Sequence, residues 1–139
     1  MAAISITAAN LVPSANAIRF NGVAAETITQ GQALYQLAAG TYGKCDNNLT
    51  LLAATFVGIA ESAGSAGQTI SILRSDTALV LGGTLVTGTA VCTSPTAGGL
   101  TITPADNTTG SFVTVIGMST SATTLNFGAG FLSSTAIYF

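Results

Sequence analysis

The chain contains no histidine and no tryptophan, and only three of its 139 residues are basic. Without histidine, neither a Ser-His-Asp nor a Cys-His nucleophile can be assembled. Lys44 is the single lysine, and beside a glycine loop and Asp46 it reads as a solvated turn residue, not as the base of a Ser-Lys pair. Arg19, Lys44 and Arg74 are scattered along the chain. Nucleic-acid binding needs several phosphate-neutralising cations on one face, so that function is not expected, nor is a polybasic membrane patch. Charged residues make up 6% of the chain, against about 25% in an ordinary soluble protein. Little mutual repulsion holds copies of such a chain apart, so it is expected to work assembled.

Other shortages narrow the classes further. No run of about 18 residues is free of polar breaks, so no membrane-spanning helix is expected. Aromatics are 6%, which is sparse for the girdles of a transmembrane barrel. The N-terminus has no Lys or Arg before Arg19, and Asn10, Pro13 and Ser14 interrupt its apolar region. A secretory signal is therefore not expected, and folding in a cytoplasm is. Cys45 and Cys92 are too few for a disulfide framework and have no companion ligands for zinc, so buried free thiols are expected, with a single disulfide the alternative.

The five acids are Glu26, Asp46, Glu61, Asp76 and Asp106. A glycosidase pair would want aromatics and arginines around the sugar, and the chain is poor in both. Asp46-Asn47-Asn48 and Asp106-Asn107 read as turns, because their side chains bond the local backbone. Both lack the further ligands of a calcium loop. Gly64-Ser65-Ala66-Gly67 lacks the lysine and helix start of a phosphate loop. The expectation is no enzyme, no metal and no cofactor.

What the chain has in quantity is Gly, Thr, Ser, Val and Ile, arranged as short strands and turns. Thr55–Leu73 reads as strand, small-residue turn, strand. The pattern returns at Thr114–Phe127. Gly58 maps to Gly117, about 59 positions on, while Gly31 and Leu34 map to Gly88 and Val91 at about 57, and Thr69 maps to Thr124 at about 55. Residues 28–73 and 85–127 are read as a degenerate duplication. The expected fold is all-β: a compact β-sandwich or small β-barrel built from two degenerate repeats. Residues 26–139 form the β-rich domain and residues 1–25 an extended N-terminal arm. Asn21-Gly22 and Gly82-Gly83 are read as tight turns, Leu37–Gly43 as a loop, and Leu49–Ala54 as room for one helical turn. The arm packs either on a neighbouring copy or partner, or back on its own domain.

The segments ETITQGQALYQ, GTYGKCDNN, FVGIAESAGSAGQTISI and TGTAVCTSPTAGGLTITPADNTTGSFVTVIGMSTSATTLNF together resemble the small decoration, or cement, proteins of tailed-phage capsids. The likeness is one of rhythm and small-residue placement over roughly residues 26–127. It implies a homotrimer on the outer surface of the virion, bound to the major capsid protein and bracing the shell by bridging coat subunits. Such a protein would be made in the cytoplasm of the host bacterium. The expected contact residues are Ile4, Ile6, Leu11, Val12 and Phe20 in the arm, and Tyr138 and Phe139 at the end. The alternative is a phage fibre or receptor-binding protein recognising host glycan, which would need an exposed platform built from Tyr35, Tyr42 and Tyr138.

Overall fold

The structure, a computed structural model, describes residues 4–102, 112–128 and 137–138. It is nearly all-β. Along the chain run a 3-10 turn (Ala8–Asn10), β1 (Ile18–Ala24), β2 (Ala33–Ala38), β3 (Thr41–Lys44), the one-turn helix α1 (Leu51–Ala54), β4 (Gly58–Ala60), β5 (Thr69–Val80), β6 (Ala90–Thr93), β7 (Leu100–Thr101), β8 (Phe112–Val113), β9 (Val115–Ser119), β10 (Thr124–Gly128) and β11 (Ile137–Tyr138). Nine strands join one sheet in the order β1-β3-β2-β4-β5-β10-β9-β6-β7, and β8 pairs with β11 in a small second sheet.

The strand order recurs in both halves. β3-β2-β4-β5 in the first half is matched by β7-β6-β9-β10 in the second, and every one of these pairings is antiparallel. Register recurs too. Leu34 lies opposite Gly58, and Val91 lies opposite Gly117. β5 is the hinge of the arrangement. Its first part pairs with β1, with Ile70 opposite Gly22 and Thr69 opposite Val23. Its second part pairs with β10 in the matching register, with Leu79 opposite Leu125 and Val80 opposite Thr124. One strand thus ends the first half and begins the second. The strand runs unbroken through the polar Arg74-Ser75-Asp76. Asp76 is tolerated there because its carboxylate is fully used, accepting from the Ser14 and Ala78 amides at 2.7 and 3.1 Å and from the Ser14 hydroxyl.

β1 pairs with β5 on one side and, in parallel, with β3 on the other, so β1-β3-β2-β4-β5 closes a circuit of hydrogen-bonded strands. All five strands contribute to one apolar cluster, comprising Phe20, Ala24, Leu34, Tyr42, Ala60, Ile70 and Ile72, with Ile28 and Val57. Alternate residues face away from it: Ala33, Ile59 and Leu73 join a second cluster with Leu79, Val91, Leu100, Ile116, Leu125 and Phe127. Period-two alternation therefore feeds two cores, which is why all three residues of β4 are buried.

Two expected turns are not turns. Asn21-Gly22 lies inside β1, where Gly22 is needed because a Cβ would strike the Tyr42 ring. Leu37–Gly43, expected as a loop, is mostly strand, turning only at Ala39-Gly40 between β2 and β3.

Of the stretch expected as an arm over residues 1–25, residues 18–24 are β1, and residues 4–17 run back over the chain's own sheet. Val12 exchanges both backbone hydrogen bonds with Val80, at 2.9 and 3.0 Å. Ser14 is tied to Asp76, and Asn16 reaches the Thr77 hydroxyl at 3.1 Å. Residues 4–17 thus make these contacts with their own chain.

Candidate interaction surface

The expected contact residues whose side chains are described divide between the two clusters and the surface. Ile4 and Ile6 are half-buried against the larger cluster, and Leu11 is only 8% exposed within it. Leu11 is therefore a core residue with almost nothing left to offer a partner. Phe20 is half-buried on the other cluster, edge-on to Tyr42 with ring centroids 5.5 Å apart. Among those whose side chains are described, Val12 is the one that is exposed, at 55%. Tyr138 lies in β11, its backbone paired with Phe112. Phe139 lies outside the described residues.

A different apolar surface is built around α1. Asp46 starts it, its carboxylate accepting from the Asn48 amide at 3.3 Å. The Thr50 hydroxyl then caps the helix, accepting from the Ala53 amide at 3.0 Å. The C-terminal end is fixed by the Thr114 hydroxyl, which donates to the Ala54 carbonyl at 2.6 Å. Held this way, the turn points its small residues inward and its large ones outward. Ala53 and Ala54 are buried, while Leu49, Leu51 and Leu52 are 66%, 45% and 54% exposed. That inverts the usual preference, in which leucine fills the core. Sequence pattern cannot reveal it, because one turn is too short for a helical period to declare a face.

The basic residues of the chain are engaged within it. Arg19 grips Glu61 through two hydrogen bonds of 3.0 and 3.1 Å, and the Ser71 hydroxyl adds a third at 2.6 Å. Partial burial opposes ionisation of Glu61. The hydrogen bonds from Arg19 and Ser71, with the Arg19 charge, outweigh it and hold the carboxyl below the usual carboxylate range. Lys44 pairs with Glu26 at 3.7 Å, and the Arg74 guanidinium lies 5.0 Å above the Phe20 ring. All three basic residues of the chain are thus engaged within it.

Among the described residues, no three His, Cys, Asp or Glu side chains gather as metal ligands would, and no helix is long and apolar enough to cross a membrane. Cys45 and Cys92 are both buried as free thiols. Burial pushes each thiol's pKa up, which suppresses the thiolate and its nucleophilicity. Comparison with protein-family models, with curated proteins and with solved structures found no match.

Proposed function

We propose that the chain is a virion structural protein, a decoration or cement protein that binds the outer surface of a tailed-phage capsid and stabilises it by bridging coat subunits. The observation that carries this reading is the outward face of α1. Three exposed leucines stand within four residues, on a chain whose own cations are all engaged. The resemblance in rhythm over residues 26–127 points the same way.

The size of the patch sets the mode of binding. Fully burying a leucine contributes roughly 1.5–3 kcal/mol, so covering three half-exposed ones contributes roughly 1 kcal/mol each. Three side chains are also far short of the roughly 800 Å² per partner of a stable interface. One copy alone would hold weakly. A homotrimer presenting three patches to the repeated surface of a shell would gain by avidity. A ligand that binds only the assembled shell stabilises it by mass action, by about 2.7 kcal/mol per site at a hundredfold excess over Kd.

The alternative, recognition of host glycan, finds less support. Tyr42 is 9% exposed under Phe20, and Tyr35 is half-buried against the core, so neither offers an open ring face.

Light scattering tests the assembly part of the proposal. The expected mass is three times the 13.7 kDa of the chain. A mass equal to one chain at the concentration that saturates shells would contradict the trimer.

A further inference from the structure

The two halves of the sheet differ at one seam. In the first half, the end of β1 meets β3 directly: Ala24 lies opposite Tyr42, and the Ala25 amide donates to the Tyr42 carbonyl at 2.8 Å. The matching positions in the second half are Leu81 and Gly82 after β5, and Leu100 in β7. Leu100 stands opposite Thr93 as Tyr42 stands opposite Gln36. These edges do not meet. The Leu100 carbonyl accepts instead from the Ile4 amide at 2.7 Å, and the Gly82 carbonyl from the Thr7 amide at 2.9 Å. Residues 4–7 are wedged where the first half closes on itself.

The seam is shaped for a backbone. A Cβ on Gly82 would lie 2.7 Å from the Thr7 carbonyl oxygen, and one on Gly83 would lie 2.7 Å from that of Ser5. Gly82-Gly83 is thus held against residues 5–7, and no strand follows it over residues 84–86. The wedge is not close-packed throughout, since an open cavity of about 390 Å³ lies between it and the Gly82-Gly83 turn, lined by Ser5, Thr7, Asn10 and Thr123 among others. Ile4 and Ile6 contribute the apolar contacts, both packed on the core cluster that includes Leu81 and Leu100.

We propose that the seam between β7 and the Gly82-Gly83 turn is a strand-binding site, and that residues 4–12 are its ligand. The ligand class is an uncharged peptide with isoleucines two positions apart, turning once at Ala8–Asn10 before it reaches Val80. Main-chain hydrogen bonds supply affinity and the two isoleucines supply specificity, as in other cases of strand addition. The segment is covalently tethered but separable, and the inference stands independently of the capsid reading.

The test uses the full chain with a protease site placed in the exposed turn at Ala15-Asn16, nicked after folding. A fluorescent peptide of residues 1–15, which keeps Ser14 and its bonds to Asp76, is then added in excess. The nicked chain is expected to keep its own segment through gel filtration, to exchange it for the labelled peptide at one per chain, and to bind a peptide carrying Ile4→Asp and Ile6→Asp at least tenfold more weakly. Any of four results would overturn the proposal: loss of the segment without rebinding, unfolding of the nicked chain by circular dichroism, retention that no excess of peptide displaces, or equal binding of the substituted peptide.

Discussion

Gly58 and Gly117 occupy the same place in the two halves of the sheet. Each faces the second strand of its half, Gly58 opposite Leu34 and Gly117 opposite Val91. Each also lies where a side chain would enter the following strand. A Cβ on Gly58 would be 2.6 Å from both the Leu73 carbonyl oxygen and the Ile72 Cγ2, and one on Gly117 would be 2.7 Å from the Phe127 Cα and in collision with the Asn126 carbonyl oxygen. The repeat is thus one of backbone spacing as well as of sequence.

Because backbone atoms cannot yield as a side-chain tip can, Gly58→Ala and Gly117→Ala are each expected to destabilise the chain by about 1–3 kcal/mol. Urea unfolding checks this, with the midpoint falling and the slope unchanged. A midpoint unchanged in both variants would mean that the two strands are free to separate.

The duplicated strands are legible in the sequence because Gly58 and Gly117 sit in the same apolar setting and because Ile70-Ile72 and Leu125-Phe127 both alternate with polar residues. One ladder departs from the sequence alignment. Ile72 pairs with Ala60 while Leu125, not Phe127, pairs with Ser119, a slip of two residues that keeps every side chain on its own face. Asn21-Gly22 and Gly82-Gly83 mislead for one reason: glycine is required there by what presses against it, the Tyr42 ring and the residue 5–7 backbone, and no local pattern reports a distant neighbour. The outward leucines of α1 are invisible for a related reason. Which face of a single turn is buried depends on Thr114, sixty residues away, holding the Ala54 carbonyl.

Asp76 is the anchor of the N-terminal segment. Its buried carboxylate accepts from both the amide and the hydroxyl of Ser14. Asp76→Ala leaves those donors without their partner and is expected to cost about 1–3 kcal/mol. It should also speed amide exchange selectively at Ser14 and Val12 relative to Ile72. Uniform exchange across these three amides would show that Asp76 stabilises β5 but does not fasten the segment.

Glu61 sets an acid limb on stability. Its carboxyl is held below the usual range when folded, so its contribution is fully present above the unfolded value of about 4.3 and is lost as pH falls through the lower folded value. The wild type is expected to lose stability relative to Glu61→Gln as pH is lowered from 7 to 3, by thermal unfolding. A difference between the two proteins that does not change over that interval would contradict the Arg19–Glu61–Ser71 arrangement.

The proposed role rests on the apolar face of α1, and that face is separable from the fold. Leu49→Ser and Leu52→Ser replace side chains that are 66% and 54% exposed, so each is expected to cost no more than about 1 kcal/mol of stability. The decisive measurement is co-sedimentation with tailed-phage shells, with host cells sedimented in parallel. The expected result is saturation at a fixed ratio to coat subunits, lost or weakened at least tenfold in the doubly substituted chain. Binding to cells but not to shells, or binding to shells that the two serines leave unchanged, would contradict it.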